Sequence, residues 1–410
     1  MPEIKPEIET FARIKVVGVG GSGCAAINRM VRSNIKGVDF LAVNTDLQAL
    51  RYSEAGEKLH IGKSSTRGLG AGMNPEVGRK AAEENQNELR DALKGADMVF
   101  ITCGLGGGTG TGAAPIVAEI AKDLGALTVS VVTKPFSFEG MQRKGIADSG
   151  LDELNESVDS IITIQNDRIL QIIDKKTSLL DAFAVVDEVL KNGVQGISEL
   201  ITMHGLINVD FADVKSIMSD TGSALMGIGY GSGDNRAIDA AKAAVSSPLL
   251  DLSIEGAKGI LFSVSGNANL SMHEVNEAAK IITNSADSEA KIIFGATLDE
   301  NLDDEVKITV IATGFEVRNK KTLPMQPDFS GDLDVSSFSN HNENDRFKAK
   351  DLKKIQSEVV KNDEIKKQNE EAQFNKDRID SNVDNEKENS NVNNESEDLD
   401  VPAFLRKKML

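Results

Sequence analysis

Short apolar runs rich in β-branched residues recur along the chain, and stretches with helical spacing separate them. Residues 14–19 form one such run, feeding a glycine loop, and residues 25–33 then place apolar positions at helical intervals. The run recurs at 40–43, 98–102, 128–133 and 160–164, each short and apolar enough for a strand buried on both faces. Helical spacing fills intervals such as 77–93 and 113–123. Strands alternating with helices predict an α/β fold: a Rossmann-like parallel sheet covered on both faces. Residues 177–202 are a longer amphipathic stretch, with Leu179, Leu180, Phe183, Val186, Val189 and Leu190 on or near one face. Following the last parallel strand, this stretch predicts a central helix joining two domains. Residues 259–264, 291–297 and 306–313 then read as strands of a second, smaller α/β domain, with a helix over 271–285.

Composition changes sharply after Phe315. All but one of the 36 glycines precede it, the exception being Gly331. Residues 331–400 hold 19 acidic and 11 basic side chains, 12 asparagines and no proline. Such a stretch buries too little apolar surface to offset its ordering entropy, which predicts a disordered tether. The last residues, Asp398-Leu-Asp-Val-Pro-Ala-Phe-Leu-Arg-Lys-Lys, bring apolar groups back beside a basic cluster and read as a docking peptide. The expected organisation is a flexible N-terminus (1–12), a nucleotide-binding domain (13–176), the central helix (177–202), a C-terminal α/β domain (203–316), a disordered linker (317–397) and a partner-docking peptide (398–410).

Charge narrows the classes. The 410 residues carry 46 basic and 64 acidic side chains, a net charge of −18, which disfavours nonspecific binding to nucleic acid or an anionic membrane. Two cysteines, Cys24 and Cys103, support neither a disulfide scaffold nor a zinc ribbon, and the four histidines have no metal-ligand spacing. The polar, acidic N-terminus is not a signal peptide, and no apolar run reaches the ~18 residues that span a bilayer. A soluble, cytoplasmic protein is expected, with no membrane insertion.

Two glycine loops carry the candidate chemistry. Gly18-Val-Gly20-Gly-Ser-Gly23 fits G-x-G-x-x-G between a strand and a helix, where backbone N–H groups and a helix N-terminus meet phosphate oxygens. With Asp46 about where a ribose-binding acid would lie, this loop alone admits an NAD-dependent oxidoreductase. A second loop, residues 104–112, packs six glycines with Thr109 and Thr111 into nine positions between a strand and a helix. Its N–H donors and hydroxyls suit an oligophosphate, and two loops suggest one polyphosphate tail gripped from two sides. Gly68-Leu-Gly-Ala-Gly72 is a third segment able to close over a terminal phosphate. Gly62-Lys63-Ser64 resembles the end of a P-loop, but the required earlier glycine is Glu57.

The run Gly-Gly-Gly-Thr-Gly-Thr-Gly within residues 104–112 resembles the signature of the tubulin and FtsZ superfamily of GTPases. The remaining motifs are similar to bacterial FtsZ: Ala42-Val-Asn-Thr-Asp46, Thr66-Arg-Gly-Leu-Gly-Ala-Gly72, Lys134-Pro-Phe136, Phe138-Glu-Gly140, Asn166-Asp-Arg168 and Asn208-Val-Asp-Phe-Ala-Asp213. The resemblance covers about residues 12–316 and resumes at the C-terminal peptide. It implies GTP or GDP binding, with Mg²⁺ on the phosphates and no metal site of protein ligands alone. Gly20, Gly21, Ser22, Gly23, Cys24 and Ala25 would meet the phosphates, with Gly107, Gly108, Thr109 and Gly110 opposite and Ala71 and Gly72 near the γ-phosphate. Glu139 and Arg143 would lie near ribose and phosphates, and Phe183 at the nucleotide. Asn166 and Asp187 would recognise guanine, whose N1–H and 2-amino group suit a carboxylate. Many relatives read Gly-Gly-Gly-Gly-Asn in the first loop, where this chain has Gly20-Gly-Ser-Gly-Cys24, so a side-chain contact from the usual Asn is lost.

The same resemblance implies that Asn208, Asp210 and Asp213 are catalytic, acting on the nucleotide of the next subunit in a head-to-tail filament. The expected function is a self-polymerising GTPase of the bacterial division ring at midcell. Its terminal peptide, through Asp400, Val401, Pro402, Phe404, Leu405 and Arg406, would dock membrane-anchoring and regulatory division proteins.

Overall fold

A computed structural model describes residues 12–170, 177–202, 205–247, 254–299 and 302–315. The expectations for the N-terminus, the tether, the docking peptide and the side chains of Leu179 and Leu180 lie outside the described residues.

The first half of the chain alternates as its pattern predicts: β1 (Ile14–Val19), α1 (Gly20–Arg32), β2 (Val38–Asn44), α2 (Leu47–Arg51), β3 (Glu57–His60), α3 (Lys63–Thr66), α4 (Pro75–Glu84), α5 (Gln86–Leu93), β4 (Met98–Gly104), α6 (Thr109–Asp123), β5 (Leu127–Lys134), α7 (Met141–Ser157), β6 (Ser160–Gln165) and α8 (Asn166–Ile169). The long helix α9 (Leu179–Thr202) follows, then α10 (Phe211–Met218), β7 (Gly222–Gly231), α11 (Arg236–Val245), β8 (Gly259–Gly266), α12 (Met272–Asn284), β9 (Lys291–Leu298) and β10 (Val306–Thr313).

The strands form one sheet in the order β3-β2-β1-β4-β5-β6-β7-β10-β8-β9. From β3 to β7 every neighbouring pair is parallel, whereas β10 runs antiparallel to both β7 and β8. Chain order reverses between β1 and β4, so a crevice opens beyond the carboxyl ends of those two strands. Strand alternation splits the core between the two faces. On one face Ile14, Val16, Phe100 and Val131 pack with Val186, Val189, Leu190, Val194 and Ile197 of α9. On the other, Val17, Val19, Ile101 and Val132 pack with Ala113, Val117, Ile120 and Ala121 of α6. Burial on both faces is why β4 and β5 are dominated by apolar residues and carry no charge before Lys134.

Three departures from the sequence pattern have local causes. The helix expected at 25–33 begins at Gly20, because the glycine loop itself supplies the first helical turn. The single helix expected over 77–93 divides at Asn85, whose backbone leaves helical geometry (φ −117°, ψ 28°) and whose buried side chain accepts a 2.8 Å hydrogen bond from Gly62 N. The strand β7 was not expected, since glycine is depleted in strands. Here a side chain is excluded by packing: a Cβ on Gly231 would stand 2.0 Å from Arg236 O, at the start of α11. Alanines 237, 240, 241 and 244 give α11 the flat face that lets it lie so close.

Candidate functional site

The crevice predicted by the strand order is where both glycine loops lie. Helix α1 starts directly from the carboxyl end of β1 and α6 follows β4 after residues 105–108, and neither has a side-chain cap or an acidic residue in its first turn. Their first N–H groups are therefore unclaimed by a side chain and offer donors and positive dipole ends to an anion. Gly20 has φ +76°, and a Cβ there would stand 2.9 Å from Gly110 N, so the two loops abut. Gly20, Gly21, Ser22 and Gly23 form the first turn of α1; Gly107 and Gly108 lead into α6, which opens with Thr109 and Gly110.

A cleft of about 290 Å³ extends from these loops to α9. Ser22, Gly107, Glu139, Arg143, Asn166, Phe183 and Asp187 line it together, joined by Thr133 and Pro135 from the end of β5. The side chains come from several elements, with Phe183 and Asp187 both on α9. Glu139 accepts from Phe136 N at 2.9 Å and from the Arg143 guanidinium one helical turn later, which holds both at the rim. Phe183 stands edge-on to Phe136 with ring centroids 5.5 Å apart, and Phe136 stacks on Phe138 at 5.0 Å. Asn166 is buried, and among the described residues its Oδ1 has no hydrogen-bond partner. An orphaned buried acceptor is costly unless a bound donor reaches it.

Asp187 lies on the cleft side of α9, with Arg29 Nε of α1 at 3.8 Å from its Oδ2. Burial pushes its carboxyl above the usual aspartate range, and the Arg29 charge acts against that shift. One end of the cleft thus offers an aromatic ring, a carboxylate and an unpaired amide oxygen, and the other offers backbone donors. That is a fit to a purine nucleotide with its phosphates on the glycine loops.

Several expected positions do not line this cleft. The Cys24 side chain turns into a small core with Ile27, Ala42 and Leu50, where Asn44 Nδ2 donates to its sulfur at 3.7 Å. Burial pushes its thiol up to about 11, so the sulfur is held protonated and only the backbone N–H of Cys24 is left to meet a phosphate. Ala25 is exposed on α1. Ala71 and Gly72 belong to a segment tied to the β2–α2 connection by the Asp46–Leu69 bridge and a 3.2 Å bond from Leu47 N to Gly68 O.

The acidic triplet is outside the cleft. Asn208 accepts from Gly205 N at 2.7 Å, and Asp210 caps α10 by accepting from Asp213 N at 2.7 Å. An Ile207–Ala296 bridge fastens this loop to β9, the terminal strand of the sheet. Asn208 and Asp210 are exposed and Asp213 is half-buried.

Two features that suggested other chemistry have structural roles. Asp46 caps α2, accepting from Gln48 N at 2.7 Å and Ala49 N at 3.1 Å, rather than facing a ribose. The P-loop look-alike at Lys63 is filled by the Glu84 carboxylate, which accepts from Ser64 N at 2.8 Å and Ser65 N at 3.3 Å. Sequence reading missed Arg29, Thr133 and Pro135. Pro135 stood inside the Lys134-Pro-Phe136 motif and Thr133 beside it without either being read as lining the site, and Arg29 carries no local signal because its role depends on α1 packing against α9.

Comparisons with known proteins agree with this geometry. Residues 13–174 match the Tubulin/FtsZ family GTPase domain, and residues 222–316 match the FtsZ family C-terminal domain. An FtsZ from M. jannaschii, solved as an empty dimer, is 48% identical, with 75% of this chain and 89% of that chain covered and a TM-score of 0.72. A point mutant of FtsZ from M. jannaschii gives 48% identity, 76% and 93% coverage and a TM-score of 0.73. CetZ2 from Haloferax volcanii, in a GTPγS-bound protofilament, shares the fold at 21% identity, 73% and 92% coverage and a TM-score of 0.63. No match supports an NAD-dependent oxidoreductase. The chain therefore belongs to the FtsZ family and carries its guanine-nucleotide-binding GTPase domain.

Proposed function

We propose that this GTPase assembles head-to-tail into filaments, hydrolyses GTP at each subunit boundary and serves in the bacterial division ring at midcell. The observation that carries this reading is the separation of the acidic loop from the nucleotide cleft: Asn208, Asp210 and Asp213 hang on the β9 edge, while the cleft opens at β1 and β4. A site divided in this way needs a second subunit, and a contact between two different surfaces of one chain propagates into a filament. Exposed apolar side chains fit both surfaces: Leu69, Phe138 and Met141 flank the nucleotide side, and Leu206 precedes Asn208 on the other. The M. jannaschii dimer and the H. volcanii protofilament make such association ordinary for this fold.

In the proposed mechanism the phosphates lie on the N–H groups of residues 20–23 and 107–110, and Ala71 and Gly72 approach the γ-phosphate. Glu139 and Arg143 position the ribose and phosphates, Phe183 packs on the base, and Asn166 and Asp187 accept from guanine. Among the described residues no group of three or more His, Cys, Asp or Glu side chains is placed to hold a metal, so Mg²⁺ would sit on phosphate oxygens and supply charge neutralisation. The neighbouring subunit brings Asn208, Asp210 and Asp213 to position and polarise the attacking water, the contribution phosphoryl transfer most requires. Residues 13–176 and 203–316 act as the nucleotide and completing domains, joined by α9. The terminal peptide around Asp400, Val401, Pro402, Phe404, Leu405 and Arg406 docks membrane-anchoring and regulatory division proteins.

Asp213→Ala tests the assignment, because Asp213 supports the Asp210 cap only through its backbone N–H, which alanine retains. The variant is expected to bind GTP with near-normal affinity and still polymerise, with turnover at least tenfold lower. Unchanged turnover in its filaments, or a large loss of nucleotide affinity, contradicts the reading.

A further inference from the structure

Thr45 follows β2 and is fully buried. Its hydroxyl lies 2.6 Å from that of Thr109, the first residue of α6, and among the described residues neither hydroxyl has another hydrogen-bond partner. The Thr45 carbonyl is itself held, accepting from His60 Nε2 at 3.2 Å and Thr66 Oγ1 at 3.4 Å. Thr45 is thus anchored from three directions.

Each hydroxyl carries one hydrogen, so one lies in the bond and the other must find an acceptor. If Thr109 donated, the Thr45 hydrogen would be sealed in the core with nothing to receive it, an unfavourable arrangement. If Thr45 donates, the remaining hydrogen belongs to Thr109. That side chain stands between the two glycine loops: its Cβ is 3.5 Å from where a Gly20 Cβ would be. The Thr109 hydrogen is then left for an acceptor placed beside the uncapped starts of α1 and α6.

We infer that Thr45 is a positioning residue, whose hydroxyl orients the Thr109 hydroxyl as a donor to a phosphate group of the bound nucleotide. The inference rests on the placement of phosphates between residues 20–23 and 107–110 proposed above. Thr45 touches no ligand and acts only through Thr109. A hydrogen bond to a charged acceptor changes affinity by about tenfold or more.

The test measures affinities for GTP, GDP and guanosine by competition against a fluorescent guanine nucleotide, at protein concentrations too low for assembly. The proteins are wild type, Thr45→Val, Thr45→Ser, Thr109→Val and the Thr45→Val/Thr109→Val double variant. Valine keeps the shape of threonine and removes only the hydroxyl. The expected result is that Thr45→Val weakens GTP and GDP about tenfold or more while guanosine affinity is unchanged. Serine at position 45 rescues, and Thr45→Val costs nothing further once Thr109 is valine. Wild-type phosphate affinity in Thr45→Val, equal loss of guanosine, or a full additional loss in the double variant overturns the inference. If Thr109→Val itself binds GTP like wild type, the phosphate placement is what fails, so the two failures are distinguishable.

Discussion

Asp187 and Asp210 stand toward opposite ends of one helix. Asp187 faces the cleft two turns into α9, about 22 Å before Thr202 at 1.5 Å per residue, and Asp210 caps the helix that follows. The packing of Val186, Val189, Val194 and Ile197 under the sheet fixes α9 as the strut between them. The proposed guanine-recognising and water-positioning residues are thereby held apart within one chain.

Asp187 carries a cost of burial. Its carboxyl is raised by burial, so its favourable contribution to the fold without nucleotide is present at low pH and is lost as pH rises through the raised value, and the proposed contact with guanine would recover that loss. Asp187→Asn is therefore expected to melt higher than wild type without nucleotide at pH 7, the difference closing below about pH 4, the ordinary aspartate value. The same variant is expected to bind GTP at least tenfold more weakly. Guanine needs the ionised carboxylate, so the acid limb of wild-type GTP affinity should lie above pH ~4. Thermal melts and binding across pH check both signs; a variant that melts lower at pH 7 would contradict the burial argument.

Gly231→Ala should destabilise the protein by about 1–3 kcal/mol, the usual cost of overpacking. The added methyl has to displace Arg236 O, which lies 2.0 Å from its position, and so lifts α11 from β7. A denaturation series reads the effect; a midpoint equal to wild type would mean that α11 moves away freely.

Legibility followed where the information resides. The strands β1, β4 and β5 were readable because burial on both faces leaves them rich in apolar, β-branched residues, and α9 because a long helix under a sheet must carry an apolar stripe. The glycine loops were readable because phosphate binding constrains residue type locally. The strand β7 was hidden, since its glycines answer to a helix packed across it rather than to strand propensity. The break at Asn85 was hidden for the same kind of reason: its partner, Gly62, is distant in sequence. Arg29 reads as an ordinary helix-surface cation until α9 brings Asp187 against it. Cys24 fell inside a binding motif, yet the turn of the helix sends its sulfur into the core.

The terminal peptide gives a separable prediction. Deleting residues 399–410 should leave GTP hydrolysis unchanged, since the cleft and the acidic loop lie within residues 12–315. It should abolish capture of purified division adaptors on immobilised protein. Adaptor capture that survives the deletion would move the docking site to another part of the chain.

The most direct test of the divided active site is phosphate release from the purified protein with GTP and Mg²⁺ across a protein-concentration series, with light scattering followed in parallel. Activity per subunit should stay near background below a threshold and rise together with scattering above it. Activity strictly proportional to protein from the lowest concentration would mean that one chain holds a complete site, contradicting the role given to Asn208, Asp210 and Asp213.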